Sequence, residues 1–231
     1  MASIITSKIE TNVNVIKQQL FEKNVLLVAV IKRRSLAEVN AIMQTGIVSI
    51  AENKVQDAQK TFSQLFSDTY FIQNIKKIQK HFIGHLQSNK VKQAVQLFDV
   101  IQTVDSLKIA ELINREAQKI NKIQQIMIQI NIGCEQQKYG IDAKELFELY
   151  AQIQQLKNIL IIGIMCIAPH IKLVGEQKVR DCFQEMKRLF DQLGKKADSH
   201  FSHLSMGMSD DYLIAIEEGS TMVRIGRKLF E

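Results

Sequence analysis

The feature that most constrains this chain is an alternation carried through almost its whole length. Eight short apolar runs, at residues 25–31, 46–50, 80–84, 99–103, 125–132, 159–167, 201–205 and 221–225, alternate with stretches of helical periodicity. The helical stretches fall at residues 8–22, 35–45, 55–66, 85–96, 106–119, 143–156, 175–193 and 210–218. Ser35 with Glu38, and Asp142 with Glu145, have the spacing of capping boxes that open helices. The run at 125–132 is dominated by β-branched residues, which favour a strand. Such a series predicts a (β/α)8 TIM barrel, an α/β fold. Periodicity alone also leaves a doubly wound sheet available.

With 231 residues and no repeat, low-complexity tail or linker, the chain is expected to form one domain over 1–231. No apolar segment approaches the roughly 18 to 20 residues that cross a bilayer, and the first residues lack a secretory signal pattern, so a cytoplasmic protein is expected. Cys134, Cys166 and Cys182 form an odd set without CxxC spacing, which suits buried thiols better than a disulfide framework. A net charge of +6 is compatible with anionic partners. The basic residues are dispersed, however, as at Lys76, Lys77, Lys80, Lys119 and Lys122, which disfavours nucleic acid. No coiled-coil repeat calls for assembly, and a monomer is expected.

In a barrel the carboxyl ends of all strands converge. There the sequence collects Lys32, Asn53, residues 81–90, Asn131, Met165, residues 205–209 and residues 224–226. A lysine at a strand end can present its amine for a Schiff base with an aldehyde, or simply snorkel into water. The loop Ser205-Met206-Gly207-Met208-Ser209 and the segment from Gly219 to Gly226 offer small residues, hydroxyls and an arginine suited to a phosphate. As ordinary tight connections they would look the same. Met165 is placed either against a ligand or in the packed core. His81 with His85, and His200 with His203, lack the pattern of a metal site, and no GxSxG or GxxxxGK[ST] motif occurs.

Three ordered segments go further: HFIGHLQSNK at His81 to Lys90, INIGCEQQKYG at Ile130 to Gly140, and HLSMGMSDDYLIAIEEGSTMVRIG at His203 to Gly226. With the lysine strand, they make nearly the whole chain resemble the pyridoxal phosphate homeostasis protein family (YggS/PROSC). The resemblance implies a barrel like the N-terminal domain of alanine racemases. It implies pyridoxal 5'-phosphate (PLP) held through an aldimine to Lys32. It further implies a phosphate site at Ser205, Met206, Ser209, Gly226 and Arg227, Asn53 beside the cofactor, and Arg224 facing the pyridine nitrogen. A guanidinium cannot accept the ring proton, so the electron sink is expected to be weak.

The racemases' second domain, with its opposite-face tyrosine, has no room in this length. The expected role is therefore PLP carriage or homeostasis, with PLP-dependent apoenzymes as partners, and no robust catalysis. A weak amino-acid racemase is the alternative, and an RNA-associated barrel a third. Gln87, Ser88, Asn89 and Lys90 could restrain the pocket, face a partner or start a helix. Asn131 and Lys138 belong to the resemblance without an assigned role. Ile31, Ala51 and Lys80 depart from the family pattern, and a bulkier Ile31 or the methyl of Ala51 is expected to retune cofactor access.

Overall fold

A computed structural model describes residues 2–65, 78–133, 135 and 139–231; Lys76, Lys77, Cys134 and Lys138 lie outside these described residues. Eight strands form a closed parallel barrel in sequential order. They are β1 (Leu26–Val30), β2 (Ser49–Glu52), β3 (Gln79–Phe82), β4 (Val100–Val104), β5 (Gln124–Ile130), β6 (Ile159–Cys166), β7 (His203–Ser205) and β8 (Met222–Ile225). β1 pairs with both β2 and β8, which closes the ring and excludes the doubly wound sheet.

Side-chain parity divides the barrel into two apolar regions. Leu27, Ala29 and Ile31 of the first strand segment join the large core between strands and helices. Val28 and Val30 instead join a smaller lumen cluster with Ala51, Val100, Met127, Ile162, Met165 and Met222. This is the period-2 alternation of a strand with both faces buried. The helix Glu176–Gly194 illustrates the outer region: Val179, Phe183, Met186 and Leu193 recur on one stripe and are fully buried. Each such side chain contributes roughly 1.5 to 3 kcal/mol of apolar burial.

The N-terminal helix, Ala2–Phe21, completes the outer ring before the barrel begins. Lys17 Nζ donates to the Thr45 carbonyl at 2.7 Å, and Asn12 donates to the Leu229 carbonyl at 3.3 Å, joining this helix to both ends of the series. The expected caps form. Ser35 and Glu38 bond reciprocally at the start of Leu36–Gln44, and Asp142 and Glu145 do so at the 3-10 turn Ala143–Glu145 that leads into Leu146–Ile153.

Several boundaries differ from the sequence expectation for physical reasons. The second strand begins at Ser49 because Gly46, with φ of +77°, is spent ending the preceding helix. Pairing of Val30 with Ala51 then carries the strand through Glu52. Residues His85 to Gln87 stay outside the helix expected at 85–96, which starts as a 3-10 turn, Ser88–Lys90, and becomes α-helical at Val91–Leu97. The helix expected at 210–218 shortens to Tyr212–Glu217, and a short helix outside the expected set, Arg227–Phe230, follows the last strand.

Candidate functional site

The site is built from strand parity. Val28 and Val30 face the lumen, and Lys32 follows two residues after the end of β1, in a turn at the carboxyl end of the strand where it is exposed to solvent. Ile31 points the other way, into the outer core with 1% exposure. Its bulk therefore adds to packing behind the strand. Ala51 does lie in the lumen, in register with Val30.

Arg224 stands in the lumen at the level of Val28 and is 3% exposed. Its guanidinium donates to the Ser205 hydroxyl at 2.7 Å and to the Cys166 carbonyl at 2.7 Å. Both partners are neutral. Burial lowers the guanidinium pKa from its ordinary value, while the charges of Cys166 and Asp211 act in the opposite direction. A buried, strongly hydrogen-bonding cation is thus held inside the barrel on the strand next to β1.

The β7 to β8 segment is locked to its neighbours. The Met206 N–H donates to the Met222 carbonyl at 3.1 Å, and the Arg224 N–H to the Gly207 carbonyl at 3.0 Å. Gly207 has φ of +93°, and a Cβ there would lie 2.6 Å from that of Ala215, so only glycine suits this turn. Ser220 ties the base of the turn with its hydroxyl among the Leu204, Met206 and Met222 carbonyls, at 3.2, 2.9 and 3.0 Å, which share its single proton. The side chain of Met206 packs in the outer core. Met206 therefore anchors the loop through its backbone and presents no side chain to the mouth.

Ser209 is buried, and its hydroxyl accepts from the Lys228 N–H at 3.4 Å, which joins the β7 loop to the chain after β8. Gly226 packs against the end of β1: a Cβ at this position would lie 3.4 Å from both Cβ and the carbonyl of Val30. Arg227 is ion-paired with Asp210 at the surface. Its guanidinium faces outward, beside a cleft of about 510 Å³ bordered by Asn12, Gln19 and Lys228. The Met208 N–H donates to the Asp211 carboxylate at 2.6 Å, which closes the loop ahead of the helix Tyr212–Glu217; Asp211 makes no side-chain cap bond to the helix itself. The backbone at Gly226 and Arg227, the Ser209 hydroxyl and the Ser205 to Arg224 pair thus lie together at β7 and β8, the strands that close the ring onto β1.

On the opposite side, Asn53 follows β2 and its carbonyl abuts Gly84, where any added Cβ would collide with it. Thr103 holds Gly84 from the other flank by donating to its carbonyl at 2.6 Å. His85 stacks on Tyr139 with ring centroids 3.7 Å apart and lies 3.7 Å from the Asp105 carboxylate. Met165, fully buried in the lumen cluster, is in register with Ser205.

Two groups escaped the sequence reading. Glu52 ends β2 with 1% exposure, and burial pushes its carboxyl up to about 7; the Asn53 N–H and the Lys32 charge pull downward, and Asp57 upward. Gln79, His81 and Gln102 are lumen residues joined in a hydrogen-bonded series to Ser205. The signal for the pair on β3 was polar residues spaced by two on a strand with both faces buried. His81 was weighed only as a metal ligand. Among the described residues no cluster of three or more metal-ligating side chains occurs. Nor, among them, is any helix long and apolar enough to cross a membrane.

The geometry has counterparts in known proteins. The family model for the alanine racemase N-terminal domain matches residues 4–230. The pyridoxal phosphate homeostasis protein of Pasteurella multocida is 38% identical over 211 residues, covering 90% of this chain and 87% of the relative. That of Escherichia coli is 35% identical over 212 residues, covering 90% and 86%. Among solved structures, PipY of Synechococcus elongatus, described as having PLP bound, superposes with a TM-score of 0.85 at 29% identity, covering 96% of this chain and 100% of PipY. An alanine racemase of Clostridium difficile, at 16% identity and a TM-score of 0.78, shares the fold over 56% of its own length. With a closed barrel, a lysine at the mouth of β1 and near-full-length identity above 30% to several such relatives, the chain belongs to the pyridoxal phosphate homeostasis protein family.

Proposed function

We propose that this chain binds PLP at the mouth of its barrel and serves intracellular PLP homeostasis, as a monomeric cytoplasmic protein that holds the cofactor for PLP-dependent apoenzymes. The observation that carries the reading is the combination of an exposed lysine just past the end of β1 with an arginine buried in the lumen on the adjacent β8, where it donates to the neutral Ser205 hydroxyl and Cys166 carbonyl. The residues fit a ligand with an aldehyde, an aromatic nitrogen and a phosphate. Lys32 supplies an amine, Arg224 supplies donors that cannot become acceptors, and Ser209 with the backbone at Gly226 and Arg227 supplies the anion cradle. PLP, when bound, supplies an aldehyde that an amine can attach to covalently and reversibly.

The roles of the residues follow from their placement. Lys32 anchors, because its position at the mouth leaves the amine in solvent and able to exchange. Arg224 orients the ring and holds its nitrogen unprotonated, because a guanidinium donates and does not take up a proton at this site. Asn53 and Met165 flank the same space from β2 and β6, and Ser205 fixes the arginine. The Met206 backbone holds the phosphate loop to β8. An unprotonated ring nitrogen makes a weak electron sink, which favours holding the cofactor over turnover.

The test is an absorption spectrum of the purified protein reconstituted with PLP, taken before and after borohydride reduction, followed by peptide mapping. The expected result is a single reduced adduct at Lys32. An adduct elsewhere would remove the residue assignment, and no spectral change on reconstitution would remove the cofactor. Hydrogen exchange at the α-carbon of an added amino acid would convert the reading to that of a small PLP enzyme.

A further inference from the structure

The lumen of a TIM barrel is ordinarily packed with branched aliphatic side chains. Here a polar series crosses it. Arg224 donates to Ser205 Oγ at 2.7 Å, and Ser205 Oγ donates to Gln102 Oε1 at 2.8 Å. Gln102 Nε2 then meets His81 Nδ1 at 2.8 Å, and His81 Nε2 meets Gln79 Oε1 at 2.9 Å. Gln79 Nε2 continues toward Gln125 Oε1 at 3.4 Å. Ser205, Gln102 and His81 are fully buried, so each polar atom must find its partner among protein groups; beyond the series, Gln102 Nε2 also donates to Met222 Sδ at 3.3 Å.

The direction of every bond follows from its end. A guanidinium has donors only, so Ser205 accepts from Arg224 and directs its single proton to an acceptor, the Gln102 oxygen. That turns the Gln102 amide nitrogen toward His81, whose Nδ1 must then be without a proton. A neutral imidazole of this form carries its proton on Nε2, where the Gln79 oxygen receives it. Reversing the Gln102 amide would take from Ser205 the acceptor it has in this dry interior. Burial, with the nearby His203 adding to it, holds the His81 pKa down to about 3, so the ring stays neutral wherever the rest of the series is intact.

We propose that Ser205, Gln102, His81 and Gln79 form a positioning series that holds the Arg224 guanidinium in its ring-facing orientation, with His81 locked as the Nε2–H tautomer. This rests on the assignment of the lumen as the PLP site, and it adds residues from β3 and β4 that do not touch the cofactor. A fully satisfied polar series is rigid because each bond polarises the next and no member can rotate without orphaning a neighbour. The floor of the site is thereby fixed from the far side of the barrel.

The experiment has two arms. In the first, long-range 1H–15N NMR on the full labelled chain, with His81 identified by loss of its signals in His81→Gln, is expected to show Nε2–H and no titration between pH 8 and 5. An Nδ1–H tautomer, or protonation in that range, would overturn the series. In the second arm, PLP affinity and the absorption band of bound PLP are compared for the wild type, Gln102→Met and Gln102→Glu. Methionine removes the acceptor for Ser205 and is expected to weaken binding about tenfold and shift the band. Glutamate keeps an oxygen there and is expected to remain within about threefold of wild type while moving the His81 proton to Nδ1. Wild-type affinity and an unchanged band in Gln102→Met would overturn the positioning role. If the wild type takes up no PLP, the cofactor assignment falls on its own, and the tautomer arm still decides the order of the series.

Discussion

The barrel's two buried regions are made from the same strands and obey different rules. The helix-facing region is a continuous apolar layer in which Ile42, Phe62, Phe98, Ile113 and Phe183 are all nearly or fully buried. The lumen holds a smaller apolar cluster interrupted by Arg224, Ser205, Gln102 and His81. Apolar contacts are non-directional, so the outer layer tolerates exchange of one aliphatic residue for another at similar volume. The lumen depends on directed bonds, and one misplaced donor there leaves a neighbour unsatisfied. Stability resides mainly in the first region and ligand geometry in the second. The contrast is sharpest along β1, where successive residues alternate between them.

That contrast can be broken, most severely in the outer layer. Phe183→Ala, which empties a fully buried ring position on the helix Glu176–Gly194, should cost about 3 to 5 kcal/mol in chemical denaturation. The fraction that remains folded should bind PLP normally; a loss of affinity in that fraction would show that the two regions are coupled.

Glu52 is the exception that sharpens the comparison, because it buries a carboxyl just where the strand turns toward the helices. Its pKa in the folded chain, about 7, lies above the ordinary 4.5. The folded state therefore holds this proton more tightly than the unfolded one, and stability falls as pH rises from about 4.5 through 7. Glu52→Gln should add on the order of 1 to 3 kcal/mol at pH 8 and almost nothing at pH 4. An equal effect at both pH values would show that folding does not raise the affinity of this carboxyl for its proton.

Lys32→Ala should have the smallest effect on stability, within about 0.5 kcal/mol, because the side chain is exposed. It should nevertheless abolish covalent attachment of PLP. A large loss of stability would mean that the lysine supports the mouth of the barrel and does not merely occupy it.

The legible parts of the fold were those with local causes. The caps at Ser35 and Asp142 and the eight strands follow from patterns within short windows. Strand limits were less legible. Gly46 reads equally as a strand start or a helix stop, and only the pairing of Val30 with Ala51 decides between them. Within the site, the family resemblance brought Arg227 into the expected phosphate group but could not show its guanidinium turned outward to Asp210. Nor could it show that Met206 packs away from the mouth, or that Ile31 lies behind the strand.

The sequence by itself determined the alternation, which narrows the fold to a closed barrel or a doubly wound sheet; the pairing of β1 with β8 decided between them. It also placed an amine at the end of one strand and an arginine on the last. Only the tertiary structure decided which side of each strand faces the lumen and which polar groups meet there. Gln79, His81, Gln102, Ser205 and Arg224 lie on four strands, and the distances that join them arise only when the ring closes. Hydrogen bonds act over about 3 Å, whereas sequence patterns report the exposure of one face at a time. Which donor meets which acceptor therefore became definite only on folding.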